Sequence, residues 1–136
     1  MKYYAVIDTN VLISAMLKQG SLPWMVIDAI KKDIIIPLLN DEIIEEYNDV
    51  SRRNNFNFSE STIENVVGGI IKKSVILDRI TSDEKFIDSS DAVFYEIVMC
   101  ARQKNDAYLV TGNIKHFPKK RFVVTPREML EIIGLV

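Results

Sequence analysis

The chain has 136 residues, of which 48% are hydrophobic and 26% are charged, with one cysteine and a formal net charge of −2. This length and composition favour a single domain, residues 1–136, with a core that needs neither disulfides nor metals for stability. Its apolar runs are shorter than the roughly 20 residues of a membrane span, and the N-terminus lacks the apolar region of a signal peptide. We therefore expect a soluble cytoplasmic protein that does not bind membranes. The net charge also differs from the basic charge typical of nucleic-acid binders.

Short apolar runs that alternate with longer segments of helical periodicity predict the fold class. The predicted strands are, in chain order, residues 3–7, 34–38, 74–77, 107–110 and 122–124. The predicted helices cover residues 22–32, 40–52, a segment from residue 61, 88–103 and 126–133. Runs that are continuously apolar indicate strands covered on both faces. The pattern predicts an α/β fold of three layers, α/β/α, with a parallel central sheet.

Local signals refine three of these elements. The segment Ser61-Thr62-Ile63-Glu64 has the spacing of a capping box and predicts the start of a helix there. Gly68 and Gly69 follow, and this pair predicts that the same helix is shortened or broken. Pro37 is expected at the end of its strand, where a missing amide donor is tolerated.

The segment Asp8-Thr9-Asn10 comes directly after the first apolar run. In parallel α/β sheets, ligands bind outside the carboxyl ends of the strands, so an acid at this point indicates a functional site. A second interpretation is structural, because Asp, Thr and Asn are all common at helix starts and Asp8 could cap the next helix. Acids elsewhere in the chain favour the functional interpretation.

Helical phase identifies Glu46 as the first of these acids. The apolar positions of its predicted helix are Ile43, Ile44, Tyr47 and Val50, and residues three or four apart share a face. Glu46 therefore borders the buried side, where a carboxylate is costly unless a cation accompanies it. Three further acids of this helix lie on its opposite side and are interpreted as solvated charges, namely Glu42, Glu45 and Asp49.

Asp88 and Asp91 precede the most apolar predicted helix. Asp88 has a structural role as its N-cap, whereas Asp91 shares a face with Phe94, Tyr95 and Val98. We expect the Asp91 carboxylate on the buried side at the positive end of the helix dipole.

Asp8, Glu46 and Asp91 are thus expected at one end of the sheet. Three close carboxylates require raised pKa values or a bound cation at neutral pH. An oxygen-rich set without cysteine or histidine favours Mg²⁺ or Mn²⁺ over zinc.

These motifs, taken together and in order, resemble the PIN domain, a family of metal-dependent ribonucleases. The resemblance rests on Asp8-Thr9-Asn10-Val11-Leu12-Ile13-Ser14, the Glu46 helix, Asp88-Ser89-Ser90-Asp91 and Leu109-Val110-Thr111-Gly112-Asn113, and it covers nearly the whole chain. Within the family, the chain is most similar to the prokaryotic toxins of toxin-antitoxin modules.

The resemblance implies a Mg²⁺- or Mn²⁺-dependent endoribonuclease that cleaves single-stranded RNA, with an antitoxin protein as a partner and a homo-oligomeric state. By position, Asp8, Glu46 and Asp91 match the catalytic and metal-binding acids. The residues that support the site are Asn10, Ser14 and Thr111. Asn113 stands where many relatives have a fourth acid, so it would offer a metal only its amide oxygen.

A basic run follows the last of these motifs. It comprises Lys115, His116, Lys119, Lys120 and Arg121. These side chains would bind RNA phosphates in one interpretation and form a solvated loop in the other.

Two other function classes stay open at this point. One is a phosphatase or phospho-acceptor domain with Asp8 as the nucleophile, although no second aspartate stands two residues later. The other is a PIN-like module without activity that only binds RNA or a partner protein, which Asn113 favours. Metal-dependent cleavage of RNA by the purified protein would distinguish these classes.

Overall fold

A computed structural model describes residues 2–136 of the chain. Its five strands are β1 (Tyr3–Ile7), β2 (Ile35–Leu39), β3 (Val75–Ile76), β4 (Ala107–Val110) and β5 (Val123–Val124). They form one sheet in the order β3-β2-β1-β4-β5, and every neighbouring pair is parallel. The predicted parallel sheet is confirmed, and each predicted strand is found to within a residue or two at its ends.

Six α-helices within residues 2–136 flank this sheet. They are α1 (Thr9–Leu17), α2 (Leu22–Lys31), α3 (Asp41–Ser51), α4 (Glu60–Lys73), α5 (Ala92–Arg102) and α6 (Pro126–Ile132). Four of them, α2, α4, α5 and α6, pack directly against strands, whereas α1 and α3 pack mainly on other helices. The α/β fold class is therefore confirmed. None of the helices in this part of the chain has both the length and the apolar character needed to cross a membrane.

Helix α4 differs from the prediction at its start and in its middle. Its N-cap is Ser59, whose side chain accepts a hydrogen bond from the backbone amide of Thr62, so the expected start at Ser61 was wrong. Gly68 and Gly69 do not interrupt the helix, which continues to Lys73. Each glycine costs about 1 kcal/mol relative to alanine, and burial of an apolar stripe offsets that cost. The stripe consists of Ile63, Val67 and Ile70, each at most 2% exposed.

Pro37 lies in the middle of β2, so the prediction that it ends its strand was wrong. It pairs in register with Ala5 of β1, whereas β3 pairs only with Leu38 and Leu39. On the β3 side, Pro37 therefore lies before the ladder begins, where it can lack an amide donor without the loss of a hydrogen bond.

The order of the strands determines where a ligand can bind. From β1 the chain moves outward to β2 and β3, and then crosses to β4 and β5 on the other side of β1. The crevice at such a reversal, beyond the carboxyl ends of β1 and β4, is the usual binding position in open α/β sheets. Ile7 and Val110 are paired at these two ends, so Asp8 and Thr111 leave the sheet side by side.

Candidate active site

Asp8 occupies the N-cap position of α1 but does not use its side chain to cap that helix. Its Oδ2 accepts hydrogen bonds from the Thr111 hydroxyl at 2.7 Å and from the side-chain amide of Asn10 at 3.1 Å. The residue is only 5% exposed. A capping role therefore does not account for this carboxylate, which is held between β4 and the first turn of α1.

Burial raises the pKa of Asp8 to about 6 from an ordinary value of 3.8. The negative charges of Asp91 and Glu46 add to this rise in pKa. Hydrogen bonds from the Thr111 hydroxyl and the backbone of Thr9 lower the pKa and oppose the rise only in part. Asp8 is thus a carboxylate whose charge is poorly compensated by the protein, and Asp91 and Glu46 are near enough to raise its pKa.

Glu46 reaches the same region from α3. Its Oε2 accepts a hydrogen bond from the hydroxyl of Thr9, which comes directly after Asp8. The next residue, Tyr47, is fully buried and donates its hydroxyl to the backbone carbonyl of Ile7 at the end of β1. Burial, and then the charges of Asp8 and Glu46, keep the pKa of Tyr47 well above its usual value, so it remains a neutral donor. Tyr47 thereby fixes the phase of α3 that turns Glu46 toward Asp8.

Asp91 lies at the junction between the 3₁₀ turn Ser89–Asp91 and α5. Its Oδ2 lies 3.2 Å from Nδ1 of His116, and its side chain is 16% exposed. Burial raises the pKa of Asp91, the hydrogen bond with His116 lowers it, and the charge of Asp88 raises it again. Asp88 caps this 3₁₀ turn through Ser90 and not α5 as expected, since the N-cap of α5 is Asp91. This bonding lowers the pKa of Asp88.

The three supporting residues differ in their contacts. Thr111 bonds Asp8 directly, and its hydroxyl oxygen also accepts the backbone amide of Asn113 at 2.9 Å. Asn10 bonds Asp8 and accepts the backbone amide of Gly112 at 3.2 Å, which ties α1 to the end of β4. Ser14 lies one turn further along α1 and is exposed in the adjacent cleft.

Asn113 does not join the carboxylates through its side chain. The residue is exposed, and its amide group makes no hydrogen bond within residues 2–136. Its observed contribution is the backbone amide that orients Thr111. Its role as a metal ligand stays a prediction.

An open cleft of about 440 Å³ lies beside these acids. Its lining combines polar residues with apolar, aromatic and basic ones. The polar residues are Thr9, Asn10, Ser14, Glu46, Asp88 and Ser90, and the remaining residues are Ile13, Val50, Arg53 and Phe56. Of the three acids of the candidate site, Glu46 lines this cleft, and Asp8 and Asp91 do not.

The chemistry of the donor set fits a hard divalent cation. Within residues 2–136, neither Asp8 nor Glu46 forms an ion pair with lysine or arginine, and their hydrogen-bond partners are hydroxyls and an amide. In the same residues, no three acidic, histidine or cysteine side chains are close enough to ligate one ion together. Mg²⁺ commonly takes one or two carboxylates and keeps several waters, so this spacing is compatible with it.

The basic run lies beyond the acids, on the segment before β5. Lys115 and His116 belong to the 3₁₀ turn Ile114–His116, and Lys119, Lys120 and Arg121 are exposed on the loop that follows. Lys120 lies 3.9 Å from Glu84, and His116 contacts Asp91. The structure therefore ties His116 to an acid of the site, while RNA binding by the run stays a prediction.

Several contacts of this region were not predicted from the sequence. Thr9, Tyr47 and His116 contact the acids or their supports across 25 to 40 positions of the chain. Arg53 and Phe56 come from the loop after α3. Helical phase could have indicated Tyr47, which is adjacent to Glu46 on the buried side, but no local pattern predicts the other contacts.

A family model described as PIN domain matches residues 4–115, which contain Asp8, Glu46, Asp91 and Thr111. PIN domains are generally metal-dependent nucleases. No curated protein and no solved structure matched the chain. The match covers most of the 136 residues and includes β1 from Tyr4 onward, β2, β3 and β4, with the acids at the carboxyl end of the sheet. The chain therefore belongs to the PIN domain family.

Proposed function

We propose that this protein hydrolyses phosphodiester bonds in single-stranded RNA with the help of Mg²⁺ or Mn²⁺. The observation that carries the proposal is the state of Asp8. Its carboxylate is buried at a strand end, and the charges of Asp91 and Glu46 both raise its pKa. Such an arrangement favours binding of a divalent cation, because the cation would supply the charge compensation that the protein does not.

One or two of the acids Asp8, Glu46 and Asp91 would ligate the ion directly and the rest through bound water, and Asp8 is the most deeply buried of them. When bound, a divalent cation neutralises charge on a phosphate and lowers the pKa of water for attack on phosphorus. Thr111 and Asn10 fix the rotamer of Asp8, and Thr9 fixes that of Glu46. These bonds preorganise the carboxylates of Asp8 and Glu46.

The reaction is a hydrolysis that needs no covalent enzyme intermediate. The water oxygen forms a bond to phosphorus, the bond from phosphorus to the leaving oxygen breaks, and a proton from water is transferred to that oxygen. His116 contacts Asp91 and has no serine or cysteine partner among the hydrogen bonds of residues 2–136. This geometry supports attack by water and gives no support to a nucleophilic triad.

Cleavage assays with the purified chain test the proposal. A single-stranded RNA oligonucleotide should be cut internally in Mg²⁺ or Mn²⁺ and remain intact in EDTA. Asp8→Asn should lower the rate by roughly 100-fold or more, since several kcal/mol of charge stabilisation is lost. The control is Asp106→Asn, an exposed aspartate before β4 at the opposite end of the sheet.

Other outcomes would support other functions. Release of phosphate from a small monoester, with the RNA left intact, would indicate a phosphatase. RNA binding without cleavage in either metal would indicate a binding module. Cleavage that survives EDTA and Asp8→Asn would contradict the proposed site.

We also propose that this nuclease is a toxin of a toxin-antitoxin module, active in the cytoplasm. The support is the resemblance of the ordered motifs from Asp8 to Asn113 to that group of PIN domains. Induced expression should arrest growth, and a small DNA-binding protein encoded next to the gene should relieve the arrest by forming a complex with the chain. Normal growth at full expression of an active nuclease would favour a role in RNA processing.

A further inference from the structure

The loop between α3 and α4 carries two phenylalanines that lie on one another. The ring centroids of Phe56 and Phe58 are 5.8 Å apart and the planes differ by only 14°, which is a stacked arrangement. Phe58 packs against the hydrophobic core. Phe56 lines the cleft next to Glu46, whereas Phe58 does not. One ring therefore anchors the pair, and the other is presented to the cleft.

The loop is held in place by interactions at both ends. The guanidinium of Arg52 forms two hydrogen bonds with the carboxylate of Glu60, at 3.0 and 2.9 Å, and two more with Asn48. The backbone amide of Phe56 donates to the carbonyl of Arg53 at 3.1 Å, which closes a turn between them. A two-point guanidinium contact restrains geometry more strongly than a single bond does. Phe56 is thus presented by a restrained segment.

Arg53 supplies a cation to the same cleft. Its guanidinium is 3.9 Å from Asp49, one helical turn away, and both side chains are more than half exposed. An exposed pair of this kind contributes only about 0.3 to 0.5 kcal/mol. The guanidinium can therefore exchange Asp49 for a phosphate at little cost. The lining of the cleft thus includes an aromatic ring and a cation besides Glu46.

We propose that Phe56, supported by Phe58, stacks on an unpaired base of the RNA strand, and that Arg53 binds an adjacent phosphate. This inference rests on the proposed function. Every base has a face that can stack on an aromatic ring, so the subsite tolerates different sequences. It requires an unpaired base, because a base inside a duplex is stacked on both sides. Phe56 would thus select single strands and position the phosphate next to Glu46.

Binding of RNA that lacks one base tests the stacking contact directly. A short single-stranded RNA is prepared as a set in which each position in turn is abasic, and affinities are measured with chains that carry Asp8→Asn to prevent cleavage. Removal of one particular base should weaken binding roughly 5- to 100-fold, the range measured for stacking on aromatic side chains. In the chain that also carries Phe56→Ala, removal of that base should have no effect. Phe56→Trp in place of Phe56→Ala should restore the dependence of binding on that base.

Two further variants serve as matched comparisons. Ile87→Ala removes an apolar side chain that is 78% exposed and adjacent to Asp88 but outside the cleft lining, and it should leave affinity unchanged. Arg53→Gln should flatten the log-log dependence of binding on salt by about 0.7, the slope of one phosphate contact on a single strand. A duplex of the same sequence should bind equally to the chains with and without Phe56→Ala.

The outcomes separate this inference from the proposed function. If the wild-type chain cleaves RNA but the effect of every abasic position survives Phe56→Ala, the stacking contact is wrong and the nuclease stands. If RNA is not cleaved but the contribution of one base to binding depends on Phe56, the subsite stands without the activity. A loss of affinity at all positions together with a lower melting temperature would overturn the subsite, since Phe56 would then be structural.

Discussion

Thr111 and Asp8 are 103 positions apart in the sequence, and their side chains form a 2.7 Å hydrogen bond with the Thr111 hydroxyl as donor. The contact follows from the register of two neighbouring strands, because Ile7 pairs with Val110 and the next residue of each strand leaves the sheet at the same edge. Thr111 is fully buried. The hydroxyl is the strongest interaction in residues 2–136 that favours the charged form of Asp8.

Replacement of this hydroxyl by a methyl group should weaken metal binding. Thr111→Val keeps the shape of the side chain but removes a hydrogen bond to a charged group, worth about 1.5 to 3 kcal/mol. The pKa of Asp8 should rise further, and the Mn²⁺ concentration for half-maximal cleavage should increase about 10-fold or more. Thr111→Ser retains the donor and should resemble the wild type. Equal metal dependence in both variants would show that Thr111 does not set the charge of Asp8.

The free energy of unfolding without metal should depend on pH through Asp8. Its pKa is about 6 in the folded chain and 3.8 ordinarily, so the folded state holds the proton more tightly. The contribution of Asp8 to the free energy of unfolding is therefore present below pH 4 and is lost as the pH rises through 6. The total loss is about 3 kcal/mol, because each pKa unit corresponds to about 1.36 kcal/mol. Asp8→Asn should abolish this loss. Urea unfolding at pH 4 and pH 7 measures it.

Asp8→Asn should therefore be more stable than the wild type at pH 7 in EDTA, and the difference should shrink toward pH 4. Saturating Mg²⁺ should stabilise the wild type and leave Asp8→Asn unchanged. Asp106→Asn, in which the replaced side chain is 74% exposed, should show neither effect. The measured quantity is the difference in the free energy of unfolding between the metal-free wild type and Asp8→Asn. If that difference is the same at pH 7 and at pH 4, Asp8 is well solvated.

Two adjacent glutamates of α3 should behave differently. Glu46 accepts the hydroxyl of Thr9 and lines the cleft, whereas Glu45 is exposed on the outer face of the helix. We expect Glu46→Gln to lower the single-turnover cleavage rate by roughly 10- to 100-fold, since it removes one charge from the metal site. Glu45→Gln should alter the rate less than 2-fold. The opposite ranking would mean that α3 presents a different face to the site in solution.

The basic run is a test of how RNA is positioned. Joint replacement of Lys119, Lys120 and Arg121 by glutamine should weaken RNA binding without much change in single-turnover cleavage at saturating RNA. Each lost phosphate contact should flatten the log-log salt dependence of binding by about 0.7. Lys120 also lies near Glu84, so its contribution should be the smallest of the three.

A triple replacement elsewhere controls for net charge. Lys18, Lys72 and Lys104 are exposed lysines on other parts of the surface, and their joint change to glutamine removes the same charge. This variant should keep the wild-type salt slope. If both triple variants give the same slope as the wild type, the basic run is a solvated loop and RNA enters by another face.

The positions of Asp8 and Glu46 illustrate what the sequence could predict. The end of an apolar run locates Asp8 at a strand tip, and the spacing of Ile43 and Tyr47 along the helix turns Glu46 inward. Both signals are local and depend on periodicities that burial imposes. The fold class follows from the same periodicities.

The contacts among these acids could not be predicted in this way. The contact of His116 with Asp91 depends on a 3₁₀ turn that follows β4, and the bond from Thr9 to Glu46 depends on how α1 and α3 pack. The prediction of a break at Gly68 and Gly69 failed for a related reason. Their local cost is real, but the apolar residues on either side of them are buried against other elements. Tertiary packing decides such cases.

Titration of Mn²⁺ into the RNA-free chain tests the central claim that Asp8, Glu46 and Asp91 form a site for a divalent cation. Calorimetry should show saturable binding to the wild type at pH 7 that is lost in Asp8→Asn and weakened at least 10-fold in Glu46→Gln and Asp91→Asn. Glu45→Gln should bind like the wild type. Binding that is unchanged in Asp8→Asn, or equally weakened in Glu45→Gln, would contradict the claim and place the metal elsewhere.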